Sequence, residues 1–384
     1  MEQWTEMRAA DFIEFNPRMS IKKGTLATKV AMDKLLPFTK KIPDTEKAPF
    51  SGGSKFCNGD TIMARITPCL ENGKTAFVDI LGKDEVAFGS TEFIVMRARE
   101  GISDPQFIYY LATSPWFRNV AIKSMVGSSG RQRVQQSVLD DLVLNVPSIE
   151  EQKKISSVLC ALDQKIALNN EINDNLQQQA QALYKHYFPY SVGDELPDGW
   201  RIGSVGEIIE IHDSKRIPLS GAERAKMEKK TYPYYGAAAL MDYVDDYIFD
   251  GKYLLLGEDG TVVDEAGYPI LQYVWGQFWV NNHAHILTGK LGFNVESLYM
   301  LFKQTPVKAI VTGAVQPKIS QTNLRSIQVV IPPPKLLTDY NSQIEPLFAL
   351  LRTNEETNKS LTALRDTLLP KLMSGELDVS NIQL

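Results

Sequence analysis

The sequence is poor in the residues that staple or metallate small folds, with 3 cysteines (Cys57, Cys69 and Cys160) and 4 histidines in 384 residues. An odd number of widely spaced cysteines, none in a Cys-x-x-Cys pattern, excludes a disulfide framework and a thiolate zinc site and fits a reducing cytoplasm. No stretch approaches the ~18 uninterrupted apolar residues of a membrane span. The opening MEQWTEMRAADFIEF carries acids where a secretory signal has an apolar core. The usual cradles for phosphates, dinucleotides and catalytic zinc are missing too: there is no P-loop, no G-x-G-x-x-G after a strand-like run and no H-E-x-x-H. Nor is there the acidic-Pro-Pro-aromatic tetrapeptide with which amino-methyltransferases orient an adenine amino group. Gly 25 and Pro 20 are too few for a disordered or collagen-like chain.

What remains is an ordinary globular composition, 43% hydrophobic and 23% charged. At ~150 residues per domain it provides for two or three domains with their own cores. The net charge of −5 argues against a nucleic-acid partner when taken alone. Its distribution argues otherwise. Residues 20–55 hold eight lysines against Asp33, Asp44 and Glu46, whereas residues 240–265 hold eight acids against Lys252.

The chain is internally duplicated. Residues from about 131 to 188 return at a constant offset of 185, so that Val134, Leu139, Leu142 and Pro147 fall on Ile319, Leu324, Ile327 and Pro332. Further on, Leu159, Leu162, Ile166, Asn169 and Asn173 fall on Ile344, Leu347, Leu351, Asn354 and Asn358. Upstream the match is weaker: DFIEF (11–15) answers EIIEI (207–211) at offset 196, and APFSGG (48–53) answers TYPYYGA (231–237) near offset 184.

The better-matched segments read as long helices. Apolar residues recur at spacings of three, four and seven from 148 to 188, without Pro or Gly, between Pro147 and Pro189. The counterpart runs from about 335 to 373 with Leu347, Leu350, Leu351, Leu361, Leu364 and Leu368 on its seam. Pro346 and Pro370 are expected near its ends, because an interior proline costs about 3 kcal/mol. Two such helices, each about 60 Å long, should pair as an antiparallel coiled coil. Asn169, Asn173, Asn354 and Asn358 either lie buried in that seam and fix its register or face solvent. If they are buried, Asn169→Leu with Asn354→Leu should raise stability.

The remaining segments alternate turns with short apolar runs, EFIVMRA (92–98), YLLLG (253–257), HAHILTG (283–289) and SIQVVIP (326–332), which read as strands. Helical patches lie at 105–122 and 294–311. The fold class is therefore α+β: a mixed domain over 1–146, a first spacer helix over 147–190, a second mixed domain over 191–332, a second spacer helix over 333–375, and a tail, 376–384, expected to pack on the first domain.

No catalytic constellation emerges. His283 and His285 alternate on a strand and read as one satisfied and one exposed histidine. Asp245, Asp246, Glu258 and Asp259 read as solvated loop carboxylates. What the halves share is two acid-free basic stretches. One carries Arg118, Lys123, Arg131 and Arg133; the other carries Lys303, Lys308, Lys318 and Arg325. Arg133 falls on Lys318 at offset 185, and both lie in glycine- and amide-rich loops, GSSGRQRVQQS (127–137) and TGAVQPKISQT (312–322). Such loops offer the amides, cations and glutamines that grip phosphates and read base edges. The candidate DNA-binding residues are Ser129, Arg131, Gln132 and Arg133 with Gln316 and Lys318, joined by Lys22, Lys23 and Lys29, and by Ser214, Lys215 and Arg216. Arg133→Ala with Lys318→Ala is expected to weaken DNA binding and flatten its salt dependence.

The element order resembles the specificity subunit of type I restriction-modification systems over essentially the whole chain. The resemblance rests on G-x-x-Q-P-x-I-S with a later PPP (313–334), the second domain opening at DELPDGW (194–200), and above all the closing LRDTLLPKLMSGELDV (364–379). The first half departs from that pattern, with Arg131, Gln132 and Arg133 where the second has Gln316, Pro317 and Lys318. The resemblance implies a non-catalytic, cytoplasmic reader of double-stranded DNA with a bipartite asymmetric target. It implies assembly with two methyltransferase subunits that bind S-adenosylmethionine and methylate adenine N6, and with endonuclease subunits that use ATP and Mg. No cofactor is then expected in this chain itself. The competing reading is a coiled-coil scaffold whose two domains bind proteins and never touch nucleic acid.

Overall fold

Residues 4–128, 130–313 and 315–379 are described by the computed structural model. The chain divides into two units, Met1–Asn169 with Glu356–Leu384, and Asn170–Glu355, so each long helix contributes one part to each unit.

In the first unit the chain passes through β1 (Thr5–Arg8), α1 (Ala9–Phe12), β2 (Ile13–Phe15), β3 (Leu26–Val30), β4 (Glu46–Pro49), β5 (Lys55–Phe56), β6 (Thr61–Ala64), β7 (Thr75–Phe77), β8 (Ala87–Gly89), β9 (Phe93–Ala98), α2 (Pro105–Thr113), α3 (Pro115–Lys123), α4 (Gln136–Asp140), β10 (Val143–Val146) and the start of α5 (Ile149–Tyr187). Its sheets have the orders β1-β10, β2-β9-β6-β7 and β4-β3-β8-β5, with β3 and β8 parallel. Strands β6 and β9 lose alternation because both faces are covered: Ile62, Met63 and Ala64 are as buried as Phe93, Ile94, Val95 and Met96. The helical patch predicted at 105–122 is two helices. Ser114 ends α2, where its hydroxyl donates to Leu111 O at 2.7 Å, and caps α3, where it accepts from Phe117 N at 3.3 Å. Pro115 cannot continue α2 but suits the first turn of α3.

The second unit repeats this plan with β11 (Arg201–Ser204), α6 (Val205–Ile208), β12 (Ile209–Ile211), α7 (Gly221–Ala225), β13 (Tyr232–Tyr235), β14 (Leu240–Val244), β15 (Phe249–Asp250), β16 (Tyr253–Gly257), β17 (Leu271–Val274), β18 (Gln277–Val280), β19 (Ala284–Gly289), α8 (Val295–Phe302), α9 (Gln321–Ser326), β20 (Gln328–Ile331) and α10 (Pro334–Met373). Its sheets are β11-β20, β12-β19-β16-β17 and β14-β13-β18-β15, again with one parallel pair, β13 and β18. The offset of 196 is thus structural, since β2 and β12 hold the same edge position. The offset of 184 is not. APFSGG begins on β4, an edge strand, whereas TYPYYGA contains β13, which occupies the place of β3.

Pro346, expected near a helix end, lies twelve residues past the first residue of α10. Its neighbours explain why the helix continues. Tyr340 and Ile344 are 0% exposed, Phe348 2% and Leu351 5%; burying such side chains yields about 1.5–3 kcal/mol each, and together more than one interior proline costs. Leu350 and Leu364, assigned to the seam, are 45% and 47% exposed instead. A period nearer 3.6 residues turns them outward while Leu351 and Leu369 face in.

The asparagines are hydrogen-bonded to each other. In the first unit Asn169 Nδ2 donates to Asn358 Oδ1 at 2.8 Å, and in the second Asn354 Nδ2 donates to Asn173 Oδ1 at 2.9 Å. Asn169 and Asn173 are buried. The pairing corrects the expectation for the Leu substitutions: Asn169→Leu with Asn354→Leu strips one member from each pair and should lower stability by about 1–3 kcal/mol for each broken pair. Asn173→Leu with Asn354→Leu removes both members of one pair and should restore stability to the wild-type value or above, measured by denaturant unfolding. Of the tail, residues 376–379 are described. Leu377 and the buried Val379 join the first unit's core, and Gly375 lies against the Trp4 ring.

Candidate nucleic-acid interface

The two basic loops are held by the same backbone hydrogen bonds. In the first unit the chain after α3 turns back so that Val126 N donates to Arg133 O at 3.0 Å and Arg133 N to Val126 O at 2.9 Å. Val134 N then reaches Arg65 O at 2.9 Å, and Thr67 N reaches Gln132 O at 3.0 Å, docking the loop on the end of β6. In the second unit Thr312 and Lys318 exchange bonds of 2.9 and 2.7 Å, Ile319 N reaches Glu258 O at 2.8 Å, and Gly260 N reaches Pro317 O at 3.0 Å, on the end of β16. The glycines are required by this geometry. Gly313 has φ +89° and a Cβ there would lie 2.2 Å from Gln316 O; at Gly127, φ +139°, it would lie 2.9 Å from Arg131 O.

The cations differ sharply in availability. Arg133 is bidentate on Glu92, with Nη2 to Oε1 at 2.6 Å and Nε to both oxygens at 3.0 Å. Lys318 Nζ lies 3.2 Å from Glu258 Oε1, and Lys29 Nζ lies 2.6 Å from Glu46 on the neighbouring strand. Arg216 is a structural group. Its guanidinium, 13% exposed, reaches Glu258 Oε2 at 2.5 Å, Ala284 O at 2.7 Å and Asp213 Oδ2 at 3.5 Å. By contrast Lys22, Lys23, Arg131 and Lys215 are exposed and have no ion-pair partner among the described residues. Ser214 and Gln316 are exposed and Gln132 is half-buried, whereas Ser129 lies outside the described residues. The structure thus gathers Arg131, Gln132 and Arg133 in one loop and links Lys318 to Arg216 through Glu258. Lys22 and Lys23 sit in the turn before β3. Arg118 leaves the basic set altogether. It stacks over Phe38 at 4.8 Å and donates to Leu70 O and Glu71 O, and burial lowers its pKa.

The carboxylates were the residues that sequence spacing missed. Glu258 and Asp259, read as solvated, are bound: Glu258 by Arg216 and Lys318, Asp259 by His283 Nδ1. Glu92 stands 41 residues from Arg133, and only strand pairing could have joined them. His285 is completely buried, with Nδ1 2.6 Å from Asp213 Oδ2 and Nε2 2.8 Å from Ile319 O. Burial works against the Asp213 charge, yet His285, the Ile286 amide and Arg216 hold its carboxyl below the usual carboxylate range. Asp213, Glu258 and His285 place donor atoms within 4.8 Å of one another, as a metal would need. However, both His285 nitrogens face acceptors and Arg216 already supplies the positive charge. This cluster therefore fits an ion-pair network that stiffens the rim beneath Lys318.

Both units present exposed apolar side chains beside these groups, Val126 at 54% and, in the second unit, Ile217 at 54% and Val315 at 100%. A cation-bearing loop with exposed amides, flanked by apolar tips, can contact phosphates, base edges and thymine methyl groups.

Residues 1–178 and 197–362 match the family described as the type I restriction modification DNA specificity domain. The MjaIX specificity subunit of a type I restriction enzyme of Methanocaldococcus jannaschii is 25% identical over 307 residues, covering 72% of this chain and 70% of the relative. The HindI specificity subunit of Haemophilus influenzae is 22% identical over 422 aligned residues, covering 88% and 90%. Among solved structures, a type I restriction-modification S subunit from M. genitalium covers 96% of each chain at 18% identity with a TM-score of 0.52, a likeness of fold. With two matched segments that span most of its length, this chain belongs to the type I restriction modification DNA specificity family.

Proposed function

We propose that the chain is the DNA sequence-specificity subunit of a type I restriction-modification complex. Residues 1–146 and 191–332 are its target-recognition domains, each reading one half of a bipartite asymmetric site. The helical segments 147–190 and 333–375 set the spacing and dock two methyltransferase subunits. The chain does no chemistry itself: S-adenosylmethionine, ATP and Mg belong to the methyltransferase and endonuclease partners, which work with it on chromosomal DNA in the cytoplasm. The observation that carries this reading is the loop cradle built twice on the same backbone bonds and furnished with different polar side chains. One architecture with two chemistries is what two different half-sites need.

The test is to map methylated adenines in a host carrying this chain with its methyltransferase partner. The reading expects one motif in two specific halves around a nonspecific gap; methylation at a single contiguous motif, or none attributable to this chain, would refute it.

The free cations sharpen the salt prediction. Lys22→Ala, Lys23→Ala, Arg131→Ala and Lys215→Ala together should reduce the slope of log K against log salt by ~0.9 for each phosphate that no longer meets a cation. Arg133→Ala with Lys318→Ala should change it less, because Glu92 and Glu258 already neutralise those cations. Binding titrations between 50 and 200 mM salt check both.

A further inference from the structure

Beneath the shared backbone, the two rims carry different side chains at equivalent positions. The residue before β9 is Glu92 and the residue before β19 is His283, and both carbonyls accept from the residue that follows the neighbouring strand: Arg65 N to Glu92 O at 2.9 Å, Glu258 N to His283 O at 2.8 Å. Opposite them stand Arg133 and Lys318, which occupy the same place in the docked loops. The first rim therefore reads Glu92, Arg65, Arg133 and the second His283, Glu258, Lys318. At two of the three positions the chemistry is changed outright: a carboxylate is replaced by an imidazole, and a guanidinium by a carboxylate.

We propose that Glu92 with Arg133 in the first unit, and His283 with Lys318 in the second, are specificity-determining pairs that read base edges in the two half-sites. This deepens the function proposed above and rests on it. A cation held against a carboxylate is a poor phosphate ligand, because the carboxylate repels the phosphate that the cation would attract. It is well suited to a base pair, whose major-groove edge offers acceptors and donors side by side. Glu92 can accept from a cytosine N4 amino group while Arg133, whose Nη1 has no partner among the described residues, donates to guanine O6 or N7. In the second unit His283 commits Nδ1 to Asp259 and leaves Nε2 without a partner among the described residues, on a side chain 43% exposed. The Asp259 contact fixes the ring, so that Nε2 and the Lys318 ammonium form a second, different pattern. In the first unit the side chain that holds the cation thus also decides what it can read; in the second Glu258 holds Lys318, and His283 occupies the rim position that Glu92 has in the first.

The experiment uses the full chain assembled with its methyltransferase partner and measures competition by duplexes in which each base pair of each half-site is changed in turn. Glu92→Gln keeps the shape of the side chain and removes its charge. It should relax discrimination roughly tenfold or more at one or two adjoining base pairs of one half-site, leaving the other half-site as stringent as before. His283→Gln should do the same in the other half-site only. The untouched half-site reports intact folding in each variant, and Arg133→Lys, on an exposed side chain, carries the same test should Glu92→Gln fail to assemble. Discrimination that survives at every base pair in these variants, or that falls equally in both half-sites, overturns the assignment. A wild-type complex with no sequence preference would instead overturn the function on which it rests.

Discussion

Replacing Arg216 by alanine is expected to destabilise the second unit by about 3–5 kcal/mol, the range for removing one partner from a buried ion pair. The guanidinium is 13% exposed and stands against Asp213 and Glu258, 4% and 13% exposed. Without it two carboxylates remain in a low-dielectric setting, Asp213 hydrogen-bonded by His285, Gln321 and the Ile286 amide, and Glu258 paired with the half-exposed Lys318. Part of the loss comes from Ala284 O, which would lose its 2.7 Å donor at the start of β19. Lys215→Ala, one residue away and exposed, should stay within about 0.5 kcal/mol of wild type. Denaturant unfolding of the two variants side by side gives the answer. Because the same network supports Lys318 and the docked loop, Arg216→Ala should also cost sequence discrimination in the half-site read by this unit.

The second large effect concerns Tyr340, which is 0% exposed and packs edge-on against Tyr184 at 5.7 Å and Phe188 at 4.8 Å. Tyr340→Ala should cost about 3–5 kcal/mol, since a ring-sized cavity opens where α5, α10 and the second unit's core meet. Tyr340→Phe should do the reverse. The hydroxyl is buried without a hydrogen-bond partner among the described residues, and burial pushes its pKa up, so it stays protonated and unpaired. Removing it should leave stability unchanged or raise it by about 1 kcal/mol. A large loss for Tyr340→Ala beside no loss for Tyr340→Phe, read from thermal unfolding of the full chain, would separate the contribution of the ring from that of the hydroxyl.

The parts legible in the sequence are those governed by short-range regularity. YLLLG is β16 and HAHILTG contains β19, because a short apolar run bounded by turn formers has few other fates. The long helices were legible for the same reason, and the duplication exposed the docked loops because a constant offset preserves their register. Long-range pairing decided what was not legible. Neither the displacement of APFSGG onto an edge strand nor the interior position of Pro346 has a local signal; the first depends on strand order and the second on the burial of Tyr340, Ile344 and Phe348. The candidate site was half legible. Local charge located the basic loops but could not show that Arg133 and Lys318 are held by Glu92 and Glu258, or that Arg216 and Arg118 are interior groups, since most of those partners arrive from distant segments of the chain.

The central claim is that two readers are joined by helical segments of fixed length, α5 with 39 residues and α10 with 40. One base pair added to or removed from the gap between the half-sites rotates one half by about 34° relative to the other. Binding of the chain with its methyltransferase partner to duplexes whose gap is lengthened or shortened by a single base pair is therefore the most direct measurement. The account predicts loss of specific binding and of adenine methylation in both altered duplexes, with the original spacing alone retained. Equal binding and methylation at all three spacings would contradict it.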